Sequence, residues 1–314
     1  MPTNLPPPAS PPDYSLAALA ANTHRAHQAD LARFAAWGGS IPSSAEELVA
    51  YLRAHAQSHR VSTLTRWLAS ISKAHQERKL DNPCRAADVR AELRGIRNTF
   101  GGQQRRVAPA MRDEVIAMVD CAPDTITGIR DKALLLLGFS AALRRSELAA
   151  IKIAQLQFDR RGLLLSLGKT KTDQAGQDGV LAIPRAKQPA YCPVQALRRW
   201  LREVERTQHK AADDDKSSKD APVFRRISKA GNVHDNALNA ASIARLVKAY
   251  ALKAGLDPAL YSGHSLRAGL ATSSAQEGKP FHKIKAQTRH KSDATLLRYV
   301  RDGELFEDNA ADLL

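Results

Sequence analysis

The chain is predicted to be mainly α, in two domains, with a small antiparallel β-sheet in the C-terminal one. Three observations predict this. Apolar residues recur at helical spacing along much of the 314 residues, as in Leu64, Leu68 and Ile71. Between Gln155 and Pro184 the pattern changes to short β-like runs. A glycine-started, basic, apolar-poor stretch from Gly101 to Arg106 separates the helical patterns into two groups.

Residues 1–12 hold Pro6, Pro7, Pro8, Pro11 and Pro12 and read as a flexible tail. From Ser15, a candidate cap, to Trp37, the spacing of Leu16, Leu19, Leu31 and Phe34 predicts a first helix. Ser44 and Glu47 form a capping box before Leu48, Tyr51 and Leu52, and Ser62 opens a third helix carrying Leu64, Trp67, Leu68 and Ile71. A fourth helix spans about Ala86 to Phe100. These helices make residues 13–100 an all-α domain with two basic surfaces, Arg66 and Lys73 on the third helix and Arg90, Arg94 and Arg97 on the fourth. Each suits phosphate, although any one of them alone fits a solvated helix face equally well. Residues 101–109 read as a linker, with Arg105 and Arg106 able to run along a polyanion.

The second domain, residues 110–314, opens with an amphipathic helix from Met111 to Val119 and a mostly apolar one from Ile129 to Phe139. LRRSEL follows, with Glu147 able to pair with Arg144 or Arg145. Two strands, Leu163 to Leu167 and Val180 to Ile183, flank the lysine-bearing loop GKTKTDQAGQDG. Helices are expected at Cys192 to Arg206, Ala241 to Ala254, Ser265 to Gln276 and Asp293 to Val300, with a solvated charged loop at 209–221. In the last segment Leu305, Phe306, Ala310, Leu313 and Leu314 form an apolar stripe fit to dock on this domain or another subunit.

Composition narrows the function classes. Lys and Arg total 47 against 32 Asp and Glu, a formal net charge of +15 with pI near 10.0, which points to a polyanionic partner, nucleic acid first. Apolar runs such as Ala133 to Phe139 fall far below the roughly 20 residues that span a bilayer, so no membrane partner is expected. The proline-rich start lacks the basic region of a leader. Cys84, Cys121 and Cys192 stand far apart without CxxC, so a reducing, cytoplasmic setting is expected, with no disulfide framework and no zinc ribbon. His55 and His59 have metal-helix spacing, but HAQSH lacks the glutamate after its first histidine and a third ligand; no metal and no cofactor is expected. GKT fails as a P-loop, since five residues rather than four separate Gly162 from Gly168 and a strand follows.

The decisive stretch lies between Ser262 and Arg301. In SGHSLRAG, His264 and Arg267 sit three apart at a helix start with Ser262 or Ser265 available as cap, a placement suited to an anion because the helix dipole favours phosphate there. RHKSDATLLRYVR then adds His290 and Tyr299, the latter among basic companions. An HxxR pair or a helical tyrosine alone is most often structural; the combination is the signal.

With Arg144, the TKT lysine, HSLR, His290 and Tyr299 in this order, the chain resembles the tyrosine recombinases, or phage-type integrases, in the Cre-like and Xer-like layout. His290 lies 23 residues after Arg267 and Tyr299 lies 9 after His290, as the family pattern requires. The likeness covers nearly the whole chain, and the first domain is similar to the helical, SAM-like core-binding domain of such enzymes. There are two departures. Arg289 stands where family members often carry a glycine, and the hairpin offers both Lys171 and Lys169, with TKT favouring Lys171.

The resemblance implies a two-domain clamp on double-stranded DNA and a site-specific recombinase that uses neither metal nor nucleotide. Tyr299 would attack a DNA phosphate with His264 as base, giving a 3′-phosphotyrosyl link and later a Holliday junction. Arg144 and Arg267 would fork onto the phosphate, His290 would hydrogen-bond it, Lys171 would protonate the leaving 5′ oxygen, and Glu147 would orient the cations from behind. It further implies a homotetramer on DNA from a monomer or weak oligomer, a prokaryotic or mobile-element origin, and room for accessory proteins. Two other readings compete: a monomeric type IB topoisomerase-like enzyme, and a non-catalytic DNA-binding regulator on the same fold.

Overall fold

The computed structural model describes residues 21–102, 107–167, 179–208 and 219–303. The proline-rich tail, Arg105, Arg106, Lys169, Lys171, most of the charged loop and the stripe from Leu305 to Leu314 lie outside the described residues. The chain divides into two compact units, Met1–Arg105 and Arg106–Leu314.

The first unit holds α1 (Ala21–Trp37), α2 (Ala45–His55), α3 (Val61–Glu77) and α4 (Ala87–Phe100). Its core joins Phe34, Leu48, Tyr51, Leu52, Leu64, Trp67 and Ile71, the residues that fell on the apolar faces of the predicted helices. The Ser44 hydroxyl accepts from the Glu47 N–H at 3.2 Å, but the Glu47 carboxylate turns to the Ser40 N–H at 3.3 Å instead of closing the box. Ser62 does not cap α3: the helix begins at Val61 behind Arg60, with no side-chain cap. His55 and His59 stack edgewise on one another and both lie against the Trp67 ring, so they serve the aromatic core.

The second unit contains α5 (Arg112–Asp120), α6 (Ile126–Ser140), α7 (Arg145–Ala150), β1 (Leu156–Phe158), β2 (Gly162–Ser166), β3 (Val180–Pro184), α8 (Pro193–Gln208), β4 (Arg225–Ile227), β5 (Val233–Ala237), α9 (Ala240–Lys253), α10 (Ser265–Gln276), α11 (Phe281–Thr288) and α12 (Asp293–Gly303). The sheet β1-β2-β3 is antiparallel, with Leu163 opposite Ile183 and Leu165 opposite Leu181, so the apolar members of each pair enter one core. A strand not predicted from its pattern, β1, extends this sheet, and β4 with β5 makes a separate hairpin.

Two layers position the site. α6, buried along most of its length, lies at the centre, and α10 packs on it and on α5, α11 and α12. Gly269 lets α10 approach closely, since a Cβ there would stand 1.7 Å from the Ala110 carbonyl oxygen. The segment before α5 runs along the start of α10, with the Ala110 N–H donating to the Ser265 carbonyl at 2.9 Å. A second small core of Ala271, Ala275, Ile284 and Leu296, with Tyr299 and Val300 against it, holds α10, α11 and α12 together.

Candidate active site

The site forms where α6 ends, α7 and α10 begin and α11 turns into α12. α6 stops at Ser140, and Ala142 takes a left-handed conformation with φ 46°. That reversal aims the Ala142 carbonyl at the site, where it accepts from Arg267 Nη1 at 2.7 Å and from Arg289 Nη2 at 3.4 Å.

Arg144 stands at the N-cap of α7 with Glu147 three residues on. One carboxylate oxygen of Glu147 accepts from the Arg144 N–H at 2.8 Å and the other from its Nη1 at 2.6 Å. Glu147 therefore pairs with Arg144 rather than Arg145, whose aliphatic stem lies over Gly263. Arg289 Nη2 donates to Glu147 as well, at 2.9 Å. Burial alone pushes the Glu147 carboxyl up, but Arg289 and Arg144 outweigh it and hold the group below the ordinary carboxylate range.

His264, not a serine, occupies the N-cap of α10. Ser262 accepts from the His264 N–H at 3.2 Å, while the Ser265 hydroxyl turns back to accept from the Ser262 N–H at 2.9 Å. Both serines thus shape the turn before the helix. Arg267, 1% exposed, points inward from the first turn of α10. Burial first, then Arg144 and Arg289, push its pKa down to about 9. It remains charged at neutral pH, and its buried Nη2 finds no hydrogen-bond partner among the described residues.

The two histidines differ in setting. His264 Nε2 is 3.1 Å from the Tyr299 hydroxyl, and burial, followed by Arg267 and Arg144, lowers its pKa. The ring is neutral at pH 7 and presents a lone pair to the phenol when its proton is on Nδ1. The His290 ring also lies beside Tyr299, with the two ring centroids 5.7 Å apart. The Thr288 hydroxyl donates to the Ile284 carbonyl at 2.7 Å, so its oxygen accepts from His290 Nδ1–H at 2.8 Å. Burial, then Arg267 and Arg144, push His290 down to about 4. Its Nε2 donates to an anion either as the other neutral tautomer or once the anion draws in a second proton.

Among the described residues the arrangement sets three guanidiniums, Arg144, Arg267 and Arg289, against one carboxylate, Glu147. Arg267 Nη2, Arg289 Nε and Arg289 Nη1 are buried donors that find no hydrogen-bond partner among the described residues. Buried N–H groups left unpaired are costly, so the site favours an acceptor-rich anion, and a phosphodiester supplies both charge and oxygens.

The structure brings together Arg144, Glu147, His264, Arg267, His290 and Tyr299, all from the second unit. In the first unit, Arg66 is paired with the buried Asp30 and Lys73 with Glu77, whereas Arg90, Arg94 and Arg97 are exposed on α4. Arg289 is the member that residue pattern missed as a participant; its only signal was a side chain where the family pattern has glycine.

Over residues 111–304 the chain matches the model of the phage integrase family. It is 35% identical over 298 residues to an integrase/recombinase xerD homolog of Selenomonas ruminantium, covering 92% of this chain and 84% of that protein. It is 24% identical over 285 residues to recombinase cre of Escherichia phage P1, covering 85% of this chain and 77% of that protein. The solved structure of the Tn1549 transposon integrase in complex with transposon right end DNA superposes with a TM-score of 0.63 at 18% identity, covering 90% of this chain and 89% of that one. That last likeness is one of fold.

Proposed function

The chain belongs to the phage integrase family, and from that membership we propose that it is a site-specific DNA recombinase that cuts and rejoins strands through a 3′-phosphotyrosyl link. The observation that carries this reading is the Tyr299 hydroxyl 3.1 Å from His264 Nε2 beside a cluster of guanidiniums short of acceptors.

In the proposed step a scissile phosphate lies between Arg144 and Arg267, which neutralise charge growing on its non-bridging oxygens. Tyr299 gives its proton to His264 and its oxygen bonds to phosphorus, while the bond to the 5′ oxygen breaks. A phenol with an ordinary pKa near 10 is protonated at neutral pH, so it needs that acceptor. Lys171 protonates the departing 5′ oxygen, with Lys169 the alternative. His290, protonated once the phosphate is present, donates from Nε2. The ester's energy is kept in the tyrosyl link, so a 5′ hydroxyl from another strand reverses the step without nucleotide.

Double-stranded DNA is the partner, with Arg90, Arg94 and Arg97 of the first domain and Arg105 and Arg106 of the linker on its backbone. Exchange between two duplexes calls for four subunits, with the stripe from Leu305 to Leu314 as the contact between them. The setting is cytoplasmic, with room for accessory proteins.

The test uses a nicked duplex bearing the cognate site, resolved by denaturing electrophoresis. Wild type is expected to form a covalent protein–DNA complex and Tyr299→Phe none, with DNA affinity unchanged within about threefold. A wild type that binds without forming any complex leaves only the regulator reading.

A further inference from the structure

Arg289 ends α11 in a left-handed conformation, φ 53° and ψ 45°, which a residue with a Cβ adopts at a cost that glycine avoids. Nothing in the turn itself requires an arginine. The side chain is nonetheless 9% exposed and buried inside the site. Its Nη2 reaches Glu147 at 2.9 Å and the Ala142 carbonyl at 3.4 Å. Glu147 is the group that fixes Arg144, at 2.6 Å, and the Ala142 carbonyl is the group that fixes Arg267, at 2.7 Å. A single guanidinium therefore spans the two acceptors that orient the two phosphate-facing arginines.

We propose that Arg289 is a positioning residue for the strand-cleavage step, bridging Glu147 and the Ala142 carbonyl so that Arg144 and Arg267 face one phosphate in fixed register. The inference rests on the recombinase reading above. Both contacts come from Arg289 Nη2, whose two N–H directions are fixed by the planar guanidinium, whereas an ammonium on a flexible stem rotates freely and holds no such direction. The left-handed turn sets this side chain against Glu147 and the Ala142 carbonyl, while the ring of the next residue, His290, lies beside Tyr299.

The experiment measures single-turnover formation of the covalent complex at saturating nicked DNA, with DNA affinity recorded in parallel. Arg289→Gly relieves the backbone, so a cooperative unfolding transition like that of wild type is expected. Its cleavage rate at saturating DNA is expected to fall by roughly tenfold to a hundredfold, as for a misplaced catalytic group, a loss that stands apart from any weaker binding caused by the missing Arg289 donors. Arg289→Lys is expected to remain slow, because it restores charge without the bridge. In an E147Q background the further loss on adding Arg289→Gly is expected to shrink to less than about threefold, since both changes break one linkage. Wild-type rates in Arg289→Gly, full recovery in Arg289→Lys, or losses that multiply in the double variant each overturn the proposal alone. Absence of a covalent complex in wild type overturns the recombinase reading and this inference with it.

Discussion

At the scale of single residues the site is governed by charge brought in excess of its partners. His290 shows the consequence for pH. In the unfolded chain an imidazole takes up its proton near pH 6.5, whereas the native ring is pushed down to about 4 by burial and by Arg267 and Arg144. Between those values the unfolded state binds more protons, so native stability is full above about pH 6.5 and falls as the pH drops towards 4. Denaturant unfolding at pH 7 and pH 5 is expected to show this loss, and His290→Gln to reduce it. A bound phosphate reverses the sign of the local field, so the His290 ring resonance is expected to titrate at higher pH in the DNA complex than in the free protein. An identical midpoint in both states places His290 away from the phosphate. Most of these residues could be read directly from HSLR, LRRSEL and the tyrosine segment, because each type has chemistry that its neighbours make specific. Arg289 could not. Its role depends on a positive φ and on a carbonyl contributed from 147 positions earlier, neither of which is written locally.

The elements were legible where a periodic apolar face meets a cap or a breaker. α10 was expected from Ser265 to Gln276 and occupies those residues, and the paired strands β2 and β3 fell within one residue of their expected bounds. α11 was missed because FHKIKAQT offers only Phe281 and Ile284 as large apolar residues between charges; Pro280 ahead and the turn at Arg289 make it a helix in context. The β4–β5 hairpin was missed for the same reason, since VHDNA has no alternation, and its pairing leans on the buried Arg225, which meets Asp235 at 3.0 Å. Two predictions belong to elements. Gly269→Ala forces α10 off the Ala110 carbonyl and is expected to cost about 2–3 kcal/mol of stability, measured by denaturant unfolding, with cleavage falling as His264 and Arg267 shift with their helix. On α4, Arg90 and Arg94 lie on one exposed face, so neutralising both is expected to weaken DNA binding across all sequences and to reduce the salt slope by about 2. An unchanged slope in that double variant removes Arg90 and Arg94 from the backbone contacts.

At the scale of the whole molecule, a formal net charge of +15 spread over two compact units suits a protein that meets a polyanion with both. The chain loses its apolar periodicity between Gly101 and Pro109, and it divides into the compact units Met1–Arg105 and Arg106–Leu314. The larger unit holds the candidate site. Its Tyr299 phenol lies 3.1 Å from the His264 imidazole of the same polypeptide, so the proposed nucleophile and base travel together. Complementation between defective copies is then ruled out in advance: mixing an Arg267→Ala protein with a Tyr299→Phe protein is expected to yield no cleaved strands, because neither can lend the other its missing piece. Dilution of wild type with Tyr299→Phe should lower the yield of nicked product in simple proportion to the competent copies present, and a hybrid pool that regains activity would mean the tyrosine is exchanged between neighbours on the DNA.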